Sequence, residues 1–130
     1  MELKTIMLVD DEPDILTVAE LALTKVGGFD VVSYTSSKKA LEDVTHLLPD
    51  LIILDMMMPN MNGIQTLQKI KTIKAAENIP VIFMTAKVQN NEIDDYIASG
   101  AIGVIRKPFD PMTFPEKVRQ LYEGCGDYYV

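Results

Sequence analysis

The chain has no tryptophan, one cysteine and one histidine in 130 residues. A single cysteine, Cys125, permits no internal disulfide; that fits a reducing compartment, and a cytoplasmic protein is expected. His46 stands alone and Cys125 lies in the tail, so no zinc or iron ligand pattern can be assembled. No apolar run is long enough to cross a bilayer, and no charged stretch followed by an apolar core opens the chain, so neither a span nor a targeting segment is expected. Positive charge is in deficit. Against 12 Lys and Arg stand 19 Asp and Glu, a net of -7, and such a surface repels nucleic acid phosphates and anionic membranes. Direct nucleic acid or membrane binding is not expected. There is no repeat and no Pro, Gly or Ser-rich linker, while 48% hydrophobic residues suffice for the core of a single domain.

Four short apolar runs each end on a polar residue: LVDD at 8 to 11, LIILD at 51 to 55, VIFMT at 81 to 85 and VIRK at 104 to 107. Continuous apolar runs of this length suit strands buried on both faces. Strands are predicted over Thr5 to Val9, Asp30 to Tyr34, Leu51 to Asp55, Pro80 to Thr85 and up to Lys107, the second being the weakest. Helical spacing fills the intervals. Pro13 and Asp14 open a helix with Ile15, Ala19, Ala22, Leu23 and Val26 on its apolar face, ended by Gly27 and Gly28. Ser36 or Ser37 caps a second helix carrying Ala40, Leu41, Val44 and Leu48 until Pro49. Asn62 and Gly63 lead into a third with Ile64, Leu67, Ile70 and Ile73 on one face. A short fourth helix from Asn91 to Ser99 has Ile93 and Ile97 as its apolar pair, and Thr113 with Glu116 gives a capping-box signature for a last helix burying Phe114, Val118 and Leu121. Strands alternating with helices, joined by right-handed crossovers, predict an α/β domain: a five-stranded parallel sheet with helices on both faces. The domain should cover residues 1–123, with 124–130 as a tail.

In a parallel sheet, Asp10, Asp11, Asp55, Thr85 and Lys107 all emerge at the carboxyl edge, where open α/β sheets place ligand sites. Three ionised carboxylates against one ammonium leave such a pocket negative. A hard divalent cation with oxygen ligands and water positions relieves that repulsion, and Mg²⁺ is the expected metal. An Asp55 oxygen could then attack a phosphoryl group, with Lys107, the Thr85 hydroxyl and backbone N–H groups around the phosphoryl oxygens. Ala86 leaves room for the group to arrive.

LVDDEPDI at 8 to 15, LIILDMMMPNMNG at 51 to 63, VIFMTA at 81 to 86 and VIRKPFD at 104 to 110 resemble the receiver domain of bacterial two-component response regulators. The resemblance runs from about Lys4 to Glu123. It implies a flavodoxin-like, doubly wound sheet of order 2-1-3-4-5, which sets the first and third strands side by side. It implies that Asp55 is the phosphoacceptor and one of the metal-site residues, that Asp11 and the Met57 backbone carbonyl bind Mg²⁺ directly, and that Asp10 holds the metal largely through water. Thr85 resembles the switch hydroxyl, Lys107 the lysine that pairs with the phosphoryl group, and Lys107 to Pro108 the family's cis peptide. Lys87, two positions past Thr85, lies where receivers often tune phosphoryl lifetime.

The function implied is phosphorelay signalling: phosphoryl transfer from a sensor histidine kinase or phosphotransfer protein, then a conformational switch that controls a downstream protein effector. Such a protein promotes its own phosphotransfer and dephosphorylation and is not a turnover enzyme; a monomer or weak homodimer is expected. One departure concerns the switch. Receivers often carry Tyr or Phe three residues before the lysine, where this chain has Val104, so coupling should be weaker or differently routed, with Tyr96 and Phe109 the nearest substitutes.

Two enzyme-like or carrier readings fail on chemistry. A haloacid-dehalogenase-type phosphatase needs a second Asp two residues after the nucleophile, and that position is Met57. A flavodoxin-like electron carrier needs a hydroxyl- and glycine-rich phosphate loop where Asp10 and Asp11 stand. A degenerate receiver acting as a phosphorylation-independent interaction module is the remaining alternative, disfavoured because every pocket residue is present.

Overall fold

A computed structural model of the protein describes residues 2–86 and 89–124; Lys87 and the tail residues Cys125, Tyr128 and Tyr129 lie outside them. The elements run β1 (Thr5–Val9), α1 (Pro13–Leu21), β2 (Asp30–Tyr34), α2 (Ser37–Leu47), β3 (Leu51–Asp55), α3 (Gly63–Thr72), β4 (Val81–Thr85), α4 (Asn90–Ala98), β5 (Gly103–Arg106) and α5 (Phe114–Glu123). All strand pairs are parallel, in the order β2-β1-β3-β4-β5. The expected topology is therefore the observed one.

Strand alternation splits the core in two. Met7, Val9, Ile52, Leu54, Val81, Phe83 and Val104 face α2, α3 and α4, whereas Ile6, Leu8, Leu51, Ile53, Ile82, Met84 and Ile105 face α1 and α5. In β3 and β4 every residue is buried, which is why these segments read as unbroken apolar runs. Each fully buried Leu, Ile or Phe contributes about 1.5 to 3 kcal/mol, so these central strands outweigh any single cap. As an edge strand, β2 runs from exposed Asp30 to buried Tyr34, and its weaker apolar pattern follows from that place.

Several local expectations are corrected. Leu16, not Ile15, is the buried residue in the first helix, and Val26 is 47% exposed. For Val26 the cause is a π-helical turn at Ala22–Val26, closed by a Gly27 N–H to Ala22 carbonyl bond of 3.0 Å; the wider turn rotates the last residues off the core face. Leu48 is exposed too, because it adopts a left-handed φ of 44° as α2 ends, and Leu47 packs on the core instead. Ser36 is the α2 cap, accepting from the Lys39 N–H at 3.2 Å. The Thr113 and Glu116 capping box does not form: Thr113 turns its hydroxyl back to the Asp110 carbonyl, and Glu116 pairs with Arg119. A complete box stands at α3, where Asn62 and Gln65 bond each other's backbone N–H groups, each at 2.9 Å. No described helix is long and apolar enough to cross a membrane.

Candidate functional site

Parallel pairing lays rows of residues across the sheet. Val9, Leu54, Phe83 and Val104 form one row facing α2, α3 and α4. Because side chains alternate, the next row, Asp10, Asp55, Met84 and Ile105, turns to the opposite face. Lys107, just beyond β5, has the same parity. Register alone thus brings together the two aspartates and the lysine, and the contacts follow: Lys107 Nζ donates to Asp10 Oδ2 at 2.7 Å and to Asp55 Oδ1 at 3.1 Å. Thr85, one row further along, turns back toward the face covered by α4.

The loops complete the pocket. After β1, the Glu12 N–H donates to Asp10 Oδ1 at 2.9 Å, so both Asp10 oxygens are occupied. Glu12 itself approaches Lys107 at 3.6 Å. This acid escaped the sequence reading, although it continues the acidic run after β1; its side chain is mostly exposed. After β3, the Met57 N–H reaches Asp55 Oδ1 at 3.4 Å. Gly63 opens α3 directly over this turn: an added Cβ would lie 3.1 Å from both the Asp55 carbonyl and the Met56 Cα, so a larger residue would push the helix off the strand end. The Lys107 to Pro108 bond is cis.

Burial first, and then the charge of Asp10, push the Asp55 carboxyl up to about 6; Lys107 and the Met57 N–H pull the other way without winning. Burial acts to lower the Lys107 ammonium, but its bonds and attraction to Asp10 and then Asp55 raise it above its ordinary value. The lysine therefore stays charged between the acids.

Two buried oxygens have no hydrogen-bond partner among the described residues: Asp11 Oδ1 and Asp55 Oδ2. Buried carboxylate oxygens left unpaired are costly unless something else binds them. Asp10, Asp11, Glu12 and Asp55 each offer an oxygen, all within 4.8 Å of one another, the spacing at which one cation touches several. The residues fit a hard divalent cation. Asp10, with both oxygens committed, is suited to an indirect part, and Asp11 and Asp55 to direct ligation.

The sheet order, the acids and the lysine match a known family, since the response regulator receiver domain matches residues 6–119. This chain belongs to that family. Among relatives, a DNA-binding response regulator, MtrA of Mycolicibacterium smegmatis, is 33% identical over 88% of this chain and 48% of its own length. Response regulator Rre1 of Synechocystis is 33% identical over 90% of this chain and 51% of its own. The chain thus spans about half the length of these curated relatives. Among solved structures, the N-terminal domain of a response regulator receiver protein from Methanoculleus marisnigri is 36% identical, with a TM-score of 0.73, covering 94% of this chain and 93% of that one. Vibrio cholerae chemotaxis protein CheY4 has a TM-score of 0.84 over 92% of this chain and 99% of that one; at 23% identity it shows the fold alone. The receiver fold and the resemblance read from the four motifs agree with these matches.

Proposed function

We propose that Asp55 is the phosphoacceptor of this receiver, taking a phosphoryl group from a phosphohistidine on a sensor kinase or phosphotransfer protein. The observation that carries the reading is the Asp55 carboxylate itself, buried at the carboxyl edge with one oxygen on Lys107 and the other unpaired. An Asp55 oxygen attacks phosphorus, the P–N bond breaks, and its electron pair returns to the imidazole nitrogen of the donor. Lys107 moves from balancing carboxylates to pairing with a phosphoryl oxygen, and the Thr85 hydroxyl donates to another. Mg²⁺, held by Asp11, Asp55 and the Met57 carbonyl, with Asp10 acting largely through water, would supply charge that offsets the phosphoryl oxygens.

The acyl phosphate stays on the protein until hydrolysis, so the reaction is stoichiometric and the domain is not a turnover enzyme. Its output is a protein effector. The net charge of -7 speaks against nucleic acid contact by this domain and fits a cytoplasmic partner for a kinase. The domain is residues 1–123, with 124–130 as a tail. Every residue of the pocket is present, so a phosphorylation-independent module has no observation in its favour.

Wild type and Asp55→Asn are incubated with acetyl phosphate and Mg²⁺, and the intact proteins are weighed. Wild type should gain one phosphoryl mass and Asp55→Asn none; equal incorporation in both overturns the assignment.

A further inference from the structure

Three carboxylates surround the Lys107 ammonium, and they are not held alike. Asp10 at 2.7 Å and Asp55 at 3.1 Å are within hydrogen-bond range and buried. Glu12 stands at 3.6 Å, beyond that range, with a side chain 62% exposed, so charge alone draws it to the lysine. Its backbone is nonetheless fixed: the Glu12 N–H donates to Asp10 Oδ1 at 2.9 Å, and its carbonyl accepts from the Leu16 N–H at 3.0 Å. Glu12 occupies the N-cap position of α1, yet its side chain makes no capping bond to that helix. Capping therefore does not account for where the carboxylate lies. One of its oxygens is within 4.8 Å of oxygens of Asp11 and Asp55, and its exposure puts it on the solvent side of the pocket.

We propose that Glu12 is a positioning residue that holds the place of the phosphoryl group beside Lys107 at rest and slows phosphorylation because it has to leave. The inference rests on the reading of Asp55 as phosphoacceptor. A phosphoryl group arriving on the unpaired Asp55 oxygen brings its own negative oxygens into the space between Asp55, Lys107 and solvent, which is where the Glu12 carboxylate stands. The two anions repel each other at that range, and one ammonium does not balance both. Lys107 exchanges Glu12 for a phosphoryl oxygen once the acid swings outward. The exposed side chain is free to make that motion while both backbone bonds of Glu12 stay in place. Asp10 cannot play this part, being buried with both oxygens engaged.

Glu12→Gln keeps the shape of the side chain and removes its charge. Phosphate uptake from acetyl phosphate at saturating Mg²⁺, followed over time by intact mass, gives the rate, and melting curves against Mg²⁺ concentration give the metal affinity. At low salt Glu12→Gln should be phosphorylated about threefold to tenfold faster than wild type, the range of one solvent-screened charge interaction. The advantage should shrink to less than about twofold near 1 M salt, where charges are screened within about 3 Å. An acid that only fills the first position of α1 would give no salt-dependent difference in rate. Equal rates, or a gain that salt leaves untouched, overturn the proposal. A slower Glu12→Gln overturns it as well, and weakened Mg²⁺ binding in that variant would assign Glu12 to the metal instead. A wild type that takes up no phosphate overturns the reading of Asp55, and the role of Glu12 with it.

Discussion

Asp50 and Asp55 bracket the same strand and show what separates a structural carboxylate from a reactive one. At the amino end of β3, Asp50 Oδ2 accepts the Lys4 and Thr5 N–H groups at 3.0 and 2.9 Å, pinning the start of β1. At the carboxyl end, Asp55 is more deeply buried, yet one oxygen is unpaired and the other shares Lys107 with Asp10. Cavity size points the wrong way. A cleft of about 730 Å³ opens at the amino end beside Pro49, Asp50, Ile79 and Tyr122, whereas one of about 120 Å³ lies beside Asp11. Unsatisfied charge marks the site better than volume does.

The sharpest break in this comparison is chemical. Asp50→Asn should take up phosphate from acetyl phosphate to the wild-type level, against complete loss in Asp55→Asn. Uptake lost in both would mean that the amino end matters to the chemistry as well.

Next comes pH. The Asp55 carboxyl holds its proton up to about 6 in the folded protein, above its ordinary value of 3.8, so the native state binds more protons than the unfolded chain in that window. Stability of the metal-free protein should therefore fall as pH rises from about 4 to 6, by about 2 to 3 kcal/mol from this group. Urea unfolding of wild type and Asp55→Asn across that range isolates the effect. Parallel pH profiles for the two proteins would contradict the shift.

At the amino end, Asp50→Ala should cost about 1 to 2 kcal/mol by leaving two N–H groups without their acceptor, with no change in phosphate uptake. Smallest are the caps. Ser36→Ala should cost about 1 kcal/mol and Thr113→Ala under about 0.5 kcal/mol, because only Ser36 accepts from a helix N–H. Equal costs, read from thermal or urea melts, would show that the Thr113 hydroxyl does more than its bond to Asp110 suggests.

The sheet was legible because β1, β3 and β4 are buried on both faces and leave no polar residue until their ends. The core of the site was legible for the same reason: Asp10, Asp55 and Lys107 stand at fixed distances past apolar runs, and pairing register does the rest. What escaped depends on rotation rather than spacing. Val26 left the core through a π-helical turn that no periodicity announces, and Thr113 has a cap's sequence but a hydroxyl aimed backward. Tyr96 falls among the apolar positions of a short helix, and its spacing there says nothing of where its hydroxyl ends. The hydroxyl pair of Ser37 and Thr66, buried at 2.7 Å between α2 and α3, joins elements far apart in sequence and left no local signal.

The central claim is that the unpaired oxygens of Asp11 and Asp55 are there for a divalent cation, and a melting curve tests it most directly. Mg²⁺ binding to the folded chain should raise the melting temperature of wild type by about 5 to 10 °C at saturation, and Asp11→Ala should lose that rise. A wild-type melting temperature that ignores Mg²⁺ would contradict the account.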